Sequence, residues 1–112
     1  MESRAWRAAV NTPFATAGNR GGSLLVYTLP FATNGYNLTN ITVYSGWADN
    51  GRDAQRYVLS YSTVANPGSF LLLGNVDYNP PISGGLVTAN RVILADSAGG
   101  PIAANVAALK FD

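Results

Sequence analysis

The chain has 112 residues, of which 47% are hydrophobic and only 12% are charged, and its formal net charge is +1. This length predicts one domain with one core, and the charge excludes the strong positive field typical of nucleic-acid-binding proteins. Because the chain has neither cysteine nor histidine, it can form no disulfide, zinc finger or iron–sulfur centre and no histidine-based acid–base pair.

The first 18 residues predict an irregular lead-in or an edge element. The alternative is a short helix, because residues 2–10 contain helix formers in series. Such a helix would end at Asn11-Thr12-Pro13. These residues lack the apolar core of a secretory signal. No stretch approaches the roughly 18 apolar residues of a membrane-spanning helix, so we expect no membrane span.

Six segments with strand periodicity follow, and each is bounded by glycine, asparagine or proline. No helical segment lies between them to form a parallel crossover. The sequence therefore predicts an all-β fold, an antiparallel β-sandwich that occupies residues 1–112 as one domain. The predicted strands are residues 23–29, 38–47, 55–63, 70–78, 87–95 and 105–111.

Alternation along these segments predicts which side chains face the core, because successive strand residues point to opposite faces. The expected inward side chains are Ile41, Val43, Ser45, Tyr57, Leu59, Tyr61, Ala107, Leu109 and Phe111. The expected outward side chains are Thr42, Tyr44, Gly46, Arg56, Val58, Ser60, Ser62 and Lys110.

Four stretches carry a family likeness: Gly35 to Trp47, Gly51 to Tyr57, Tyr61 to Pro67, and Val106 to Asp112. They resemble β-sandwich modules of large exported bacterial proteins, many of which end in a PEP-CTERM sorting tail. They are also distantly similar to discoidin-like domains of the galactose-binding-like class. The resemblance implies a jelly-roll-like sandwich that is extracellular or on the cell surface and commonly binds carbohydrate. Since discoidin-like domains are usually longer and bracketed by cysteines, the chain resembles a minimal or truncated version.

Six carboxylates are present, and two of them, Asp49 and Asp53, share one turn. The catalytic pair of a glycosidase normally comes from separate elements that face a cleft. We therefore expect the two to cap backbone N–H groups, as turn aspartates commonly do. The alternative is a calcium site formed by Asp49, Asn50 and Asp53 with backbone carbonyls, since calcium takes about six to eight oxygen ligands.

Aromatic side chains are the best lead to a ligand, because sugars stack on Trp or Tyr rings while polar groups bond their hydroxyls. Trp47 lies beside Arg52 and Asp53, and Tyr36 and Tyr78 stand next to Asn, Gly or Pro. We take these five residues as candidate ligand contacts. Two alternatives stay open: Trp47 continues the core face of its strand, and Arg52 forms an ion pair with Asp49, Asp53 or Asp77.

Taken together, these residues favour a noncatalytic binding module for a polysaccharide or glycan, in a secreted or cell-surface bacterial protein. The alternative is a structural or adhesive spacer domain with no small-molecule ligand. Since no histidine or cysteine is available to activate a nucleophile, we expect no enzymatic activity. We expect no nucleic-acid partner, and no cofactor unless calcium binds. An open sheet edge would allow self-association.

Overall fold

The structure, a computed structural model, describes residues 24–47, 54–81 and 88–112. All strand pairings within these ranges are antiparallel and no helix occurs in them. The predicted all-β antiparallel sandwich is therefore confirmed. The strands are β1 (Leu25–Thr28), β2 (Tyr36–Leu38), β3 (Asn40–Trp47), β4 (Gln55–Thr63), β5 (Asn66–Tyr78), β6 (Thr88–Ala95) and β7 (Ala103–Phe111).

The larger sheet has five strands and is organised around β7. The order is β1-β7-β4-β5, and β2 also pairs with β7. β1 lies along the second half of β7, with Leu25 opposite Phe111, while β2 lies along the first half, with Tyr36 opposite Val106. β1 and β2 thus form one interrupted edge strand, and residues 29–35 loop out between them.

The chain returns from this loop into the sheet through a close backbone approach at Gly35. Its φ is +66°, and a Cβ atom there would lie 2.5 Å from the carbonyl carbon of Asn105. Asn105 itself has a φ of +56° and donates through Nδ2 to the Asn34 carbonyl at 2.9 Å. Its backbone N–H donates to Asn37 Oδ1 at 3.2 Å. Glycine at one position and asparagine at the other are the residues that tolerate these angles.

The smaller sheet consists of β3 and β6, paired in unbroken register from Asn40 opposite Ala95 to Trp47 opposite Thr88. The sequence predicts a single strand over residues 38–47, and the structure corrects this at its start. Leu38 belongs to β2 and the larger sheet, and the chain changes sheets at Thr39. No glycine or proline marks this change, so the strand pattern runs through it.

The core lies between the two sheets. Leu59 and Val106 are completely enclosed, and Val76 of the larger sheet and Ile41 of the smaller one are also buried. Where the sheets meet, a Cβ atom on Gly74 would lie 3.3 Å from Cδ2 of Leu94. The predicted inward orientation of Ile41 and Leu59 is confirmed.

The prediction that Ser60 and Ser62 face solvent is wrong. Both are buried, and Ser62 has no exposed surface. Lys110 stands opposite Ser60 in register, and its Nζ lies 4.8 Å from the centroid of the Phe70 ring. This cation–π contact covers the outer face of the sheet at this end, which is why small residues occupy β4 there.

A register shift and the position of a turn also depart from the sequence pattern. The pairing of β4 with β7 shifts after Ser62, so Ala107 interrupts the predicted alternation, and Ala108 is buried. β5 begins at Asn66 and the reversal occurs at Val64-Ala65, whereas the sequence predicts a turn at residues 66–68. Pro67 is tolerated because β5 is an edge strand, which needs no second partner.

Candidate functional site

One end of the sandwich brings together four strand termini. Trp47, the last residue of β3, is opposite Thr88, the first of β6. Gln55, the first residue of β4, is opposite Tyr78, the last of β5. Because Gln55 also donates to Val43 of β3 and Asn90 of β6, the two pairs of termini lie at the same end of the sandwich. The connections that follow β3 and β5 therefore leave from this end, which we call the loop end. These are the two loops that the sequence predicts to carry the ligand.

Four of the predicted site residues, Asp49, Asn50, Arg52 and Asp53, lie outside the described residues. So does the side chain of Trp47, whose backbone ends β3 at the loop end. The three oxygen donors predicted for calcium fall within this group. Within residues 24–47, 54–81 and 88–112, no group of three acidic, histidine or cysteine side chains could hold a metal ion.

Tyr78 lies at the loop end with 41% of its surface exposed. Its neighbour Asp77, one of the three partners predicted for Arg52, accepts from Nε of Arg56 at 3.1 Å. Both side chains of this cross-strand pair are largely exposed, so it contributes little stability. By strand alternation the pair lies on the outer face of the sheet, whereas Tyr78 lies on the face that carries the buried Gln55.

Tyr36 lies at the opposite end of the larger sheet. It pairs with Val106, which in turn is opposite Thr63, the last residue of β4. The 9 residues of β4 separate this point from the loop end, a distance of roughly 25 Å at the usual strand rise. Tyr36 therefore cannot contact the same small ligand as Tyr78.

A buried hydrogen-bond network below the loop end joins the two sheets through Gln55, which is 3% exposed. Its Nε2 donates to the carbonyl oxygen of Val43 at 3.0 Å and to Oδ1 of Asn90 at 2.6 Å. The Tyr57 hydroxyl donates to Oε1 of Gln55 at 3.0 Å. The network thus fixes β3 and β6 against the larger sheet, because each bond replaces water that these buried groups have lost.

Tyr57 is packed as well as hydrogen-bonded. Its ring meets that of Phe111 edge to face, with centroids 5.4 Å apart and planes at 66°, a favourable aromatic arrangement. Burial raises the pKa of the Tyr57 phenol above its ordinary value. Tyr57 therefore stays protonated, and able to donate to Gln55, further into the alkaline range than a solvated tyrosine.

Sequence reasoning missed two features of this region. It did not identify Gln55 as a bridge between sheets; the available signal was a long polar residue at the inward position of an otherwise apolar strand face. It also treated Tyr44 only as an outward residue. Tyr44 is exposed on the outer face of β3, directly opposite the exposed Arg91 of β6.

The described residues at the loop end offer an exposed aromatic surface at Tyr78 and hydrogen-bonding groups on the strands beside it. The Ser62 hydroxyl is buried and has no hydrogen-bond partner, but with no exposed surface it cannot reach a substrate. None of the residues that the structure describes forms a helix long and apolar enough to cross a membrane. Comparison with protein-family models gives no match, and comparisons with curated proteins and with solved structures give none either.

Proposed function

We propose that this chain is a noncatalytic carbohydrate-binding module with a jelly-roll-like, galactose-binding-like sandwich, borne by a secreted or cell-surface bacterial protein. Its ligand binds at the loop end. The proposal covers the residues singled out by the sequence: Trp47, Arg52, Asp53 and Tyr78 as ligand contacts, and Asp49, Asn50 and Asp53 as a calcium site beside them.

The convergence of four strand termini at the loop end is the observation that supports this function best. The last residues of β3 and β5, Trp47 and Tyr78, lie at this same end on two different sheets, which the hydrogen bonds of Gln55 to Val43 and Asn90 hold together. The exposed surface of Tyr78 supplies an apolar wall, and Arg52 and Asp53 are the polar groups that we propose beside it, the combination on which sugars are usually recognised.

The test is retention of the purified chain on a glycan array and in affinity gels containing polysaccharides, with calcium and with a chelator. We expect Trp47→Ala and Tyr78→Ala each to weaken retention about tenfold, as the loss of a stacking ring usually does. Tyr36→Ala is the matched control, because Tyr36 is exposed to a similar extent, 37%, at the other end of the sheet.

Each outcome has a distinct meaning. No retention on any glycan, with or without calcium, would overturn the carbohydrate function. Equal losses for Tyr36→Ala and Tyr78→Ala would overturn the assignment to the loop end. Unfolding of Trp47→Ala, seen by circular dichroism, would place Trp47 in the core, leaving Tyr78→Ala to report on the ligand.

A second candidate is a structural or adhesive spacer that associates through a sheet edge. One observation favours it: the edge strand β5 exposes the adjacent apolar side chains Leu71 and Leu72, and edge strands with such residues promote pairing between chains. Sedimentation over a range of concentrations tests this candidate. Concentration-dependent dimers that disappear in Leu72→Lys would support it, and a monomer at every concentration would contradict it.

A further inference from the structure

The outer face of the β3–β6 sheet carries a small surface that the loop-end site does not use. Alternation turns Ile41 and Val43 toward the larger sheet, and Tyr44 away from it. Tyr44 is 56% exposed and stands directly opposite the exposed Arg91. Side chains directly opposite in an antiparallel pair have Cβ atoms about 5 Å apart, so the phenol and the guanidinium form one surface.

The neighbouring residues make the Tyr44 ring accessible. On the side toward the loop end, the next pair on this face is Gly46 opposite Ala89, which have small or no side chains. On the other side is Thr42 opposite the exposed Ile93. A sugar ring can therefore lie above Gly46 and against the Tyr44 phenol. Thr42 and Ile93 then lie on the other side of the phenol.

Charge indicates which sugar this surface would favour. The described residues include three cationic side chains, and two are engaged: Arg56 with Asp77, and Lys110 with the ring of Phe70. Arg91 has no such partner within the described ranges, and no acidic residue lies on this face of either strand. Its planar fork of donors suits a carboxylate group, which it can bind through two parallel hydrogen bonds.

The strands below this surface are held in place from inside the protein. Gln55 Nε2 donates to the carbonyl of Val43, the residue before Tyr44, and to the side chain of Asn90, the residue before Arg91. The buried network therefore fixes both strands immediately beneath the exposed pair. Binding pays less ordering entropy when the supporting backbone is already fixed.

We infer that Tyr44 and Arg91 form a binding surface for an acidic polysaccharide, in which Tyr44 stacks on a sugar ring and Arg91 binds that ring's carboxylate. The inference rests on the proposed carbohydrate-binding function and names the class of sugar. Tyr44 lies three residues before Trp47, the end of β3, which is roughly 10 Å at the usual strand rise, so a polymer bound at the loop end can continue along this surface.

The test is isothermal titration of the full chain with oligogalacturonate and with its methyl ester, which keeps the ring and removes the charge. We expect Arg91→Gln to weaken binding of the acid about tenfold, because a charge-assisted bond is lost, and to leave the ester unaffected. We expect Tyr44→Ala to weaken both ligands. Because salt screens the exposed Arg91, affinity for the acid should fall with added salt.

The control variant is Arg56→Gln, which removes a different exposed arginine and should leave the preference for the acid unchanged. Equal effects of Arg56→Gln and Arg91→Gln would overturn the inference, as would equal wild-type affinity for acid and ester. If Trp47→Ala and Tyr78→Ala abolish binding while Tyr44→Ala and Arg91→Gln do not, only this inference fails. If no glycan binds at all, the proposed function fails with it.

Discussion

Gln55 shows how much one buried polar residue can determine in a domain with little charge. It is a donor to both strands of the smaller sheet and an acceptor for Tyr57. A hydrophobic residue of similar size could fill the space but would remove one hydrogen bond from each of three groups, the Val43 carbonyl, the Asn90 side chain and the Tyr57 hydroxyl. Losing such bonds away from water is costly, so the polar residue fixes one arrangement of the two sheets.

Replacing Gln55 by alanine should lower the free energy of unfolding by about 2–3 kcal/mol, because the Val43 carbonyl, Asn90 and Tyr57 all lose a buried partner. Urea denaturation followed by fluorescence measures this. The neighbouring exposed variant Arg56→Gln breaks only a surface ion pair and should cost less than about 1 kcal/mol. Equal urea midpoints for the two variants would contradict the role of Gln55.

The raised pKa of Tyr57 leads us to expect that the protein loses stability in alkaline solution. Its pKa is raised in the folded state, so the folded protein holds its proton at a pH where the unfolded chain, with a pKa of about 10, releases it. Its contribution is therefore fully present below about pH 10 and is lost as the pH rises through the folded-state pKa. Below about pH 10 the Tyr57 phenol is protonated in both the folded and the unfolded state, so it adds no pH dependence to the free energy of unfolding.

Free energies of unfolding at about pH 8 and about pH 11 test this. We expect the wild type to lose more stability between the two than Tyr57→Phe, in which the titrating group is absent. Tyr36→Phe, at an exposed site, serves as the control and should behave like the wild type. A loss in Tyr57→Phe as large as in the wild type would show that other groups are responsible.

At the level of elements, β7 is the central feature, because β1, β2 and β4 all pair with it. Two of these partners share one side of the strand, and they can do so only because residues 29–35 leave the sheet and return at Gly35. The positive φ angles of Gly35 and Asn105 form that return. The edge of the sheet is interrupted there, which hinders pairing with another chain.

Three glycine-to-alanine variants distinguish the cost of an unfavourable φ angle from the cost of a steric clash at the new Cβ atom. Gly35→Ala meets both a left-handed φ and the Asn105 backbone at 2.5 Å, so we expect a loss of more than about 2 kcal/mol. Gly99→Ala, with φ +79° but open space, should cost about 1–2 kcal/mol. Gly68→Ala, with open space and no left-handed φ, should be neutral or slightly stabilising. Thermal denaturation ranks them, and any other order would contradict this account.

Much of this organisation is predictable from strand periodicity, but the assignment of strands to sheets is not. β4 matches its predicted bounds, and β6 runs through the described part of its prediction, residues 88–95, since turn residues bound both. The change of sheet at Thr39 is invisible, because alternation continues through it while the hydrogen-bonding partner changes. The burial of Ser60 and Ser62 also escapes prediction, since it depends on Phe70 and Lys110, whose contact crosses from β5 to β7.

In the candidate site, too, some features are predictable from the sequence and others depend on which strands pair. The pairing of the two predicted ligand loops at one end follows from antiparallel connectivity, and the structure has their strand termini together. The separation of Tyr36 from Tyr78 could not be predicted, because it depends on β2 pairing with the first half of β7. The Tyr44–Arg91 pair requires the register between β3 and β6, which no local pattern specifies.

At the scale of the whole molecule, the two sheets differ in size, and this predicts unequal local stability. The larger sheet gives β4 and β7 neighbours on both sides, whereas among the described strands β3 and β6 have one partner each. Native-state hydrogen exchange should therefore find the slowest amides in β4 and β7 and faster exchange in β3 and β6. Gln55→Ala should widen this difference. Equal exchange in both sheets would show that they open as a single unit.

The position of β7 in the chain also affects how the protein is made. It is the last of the described strands to leave the ribosome. Since β1, β2 and β4 all pair with β7, they lack this partner until it emerges. Until then only the β4–β5 hairpin and the β3–β6 ribbon can assemble, and the apolar faces of the earlier strands stay available to chaperones. The larger sheet must close late, through contacts that are distant in sequence, and we expect its folding to be correspondingly slow.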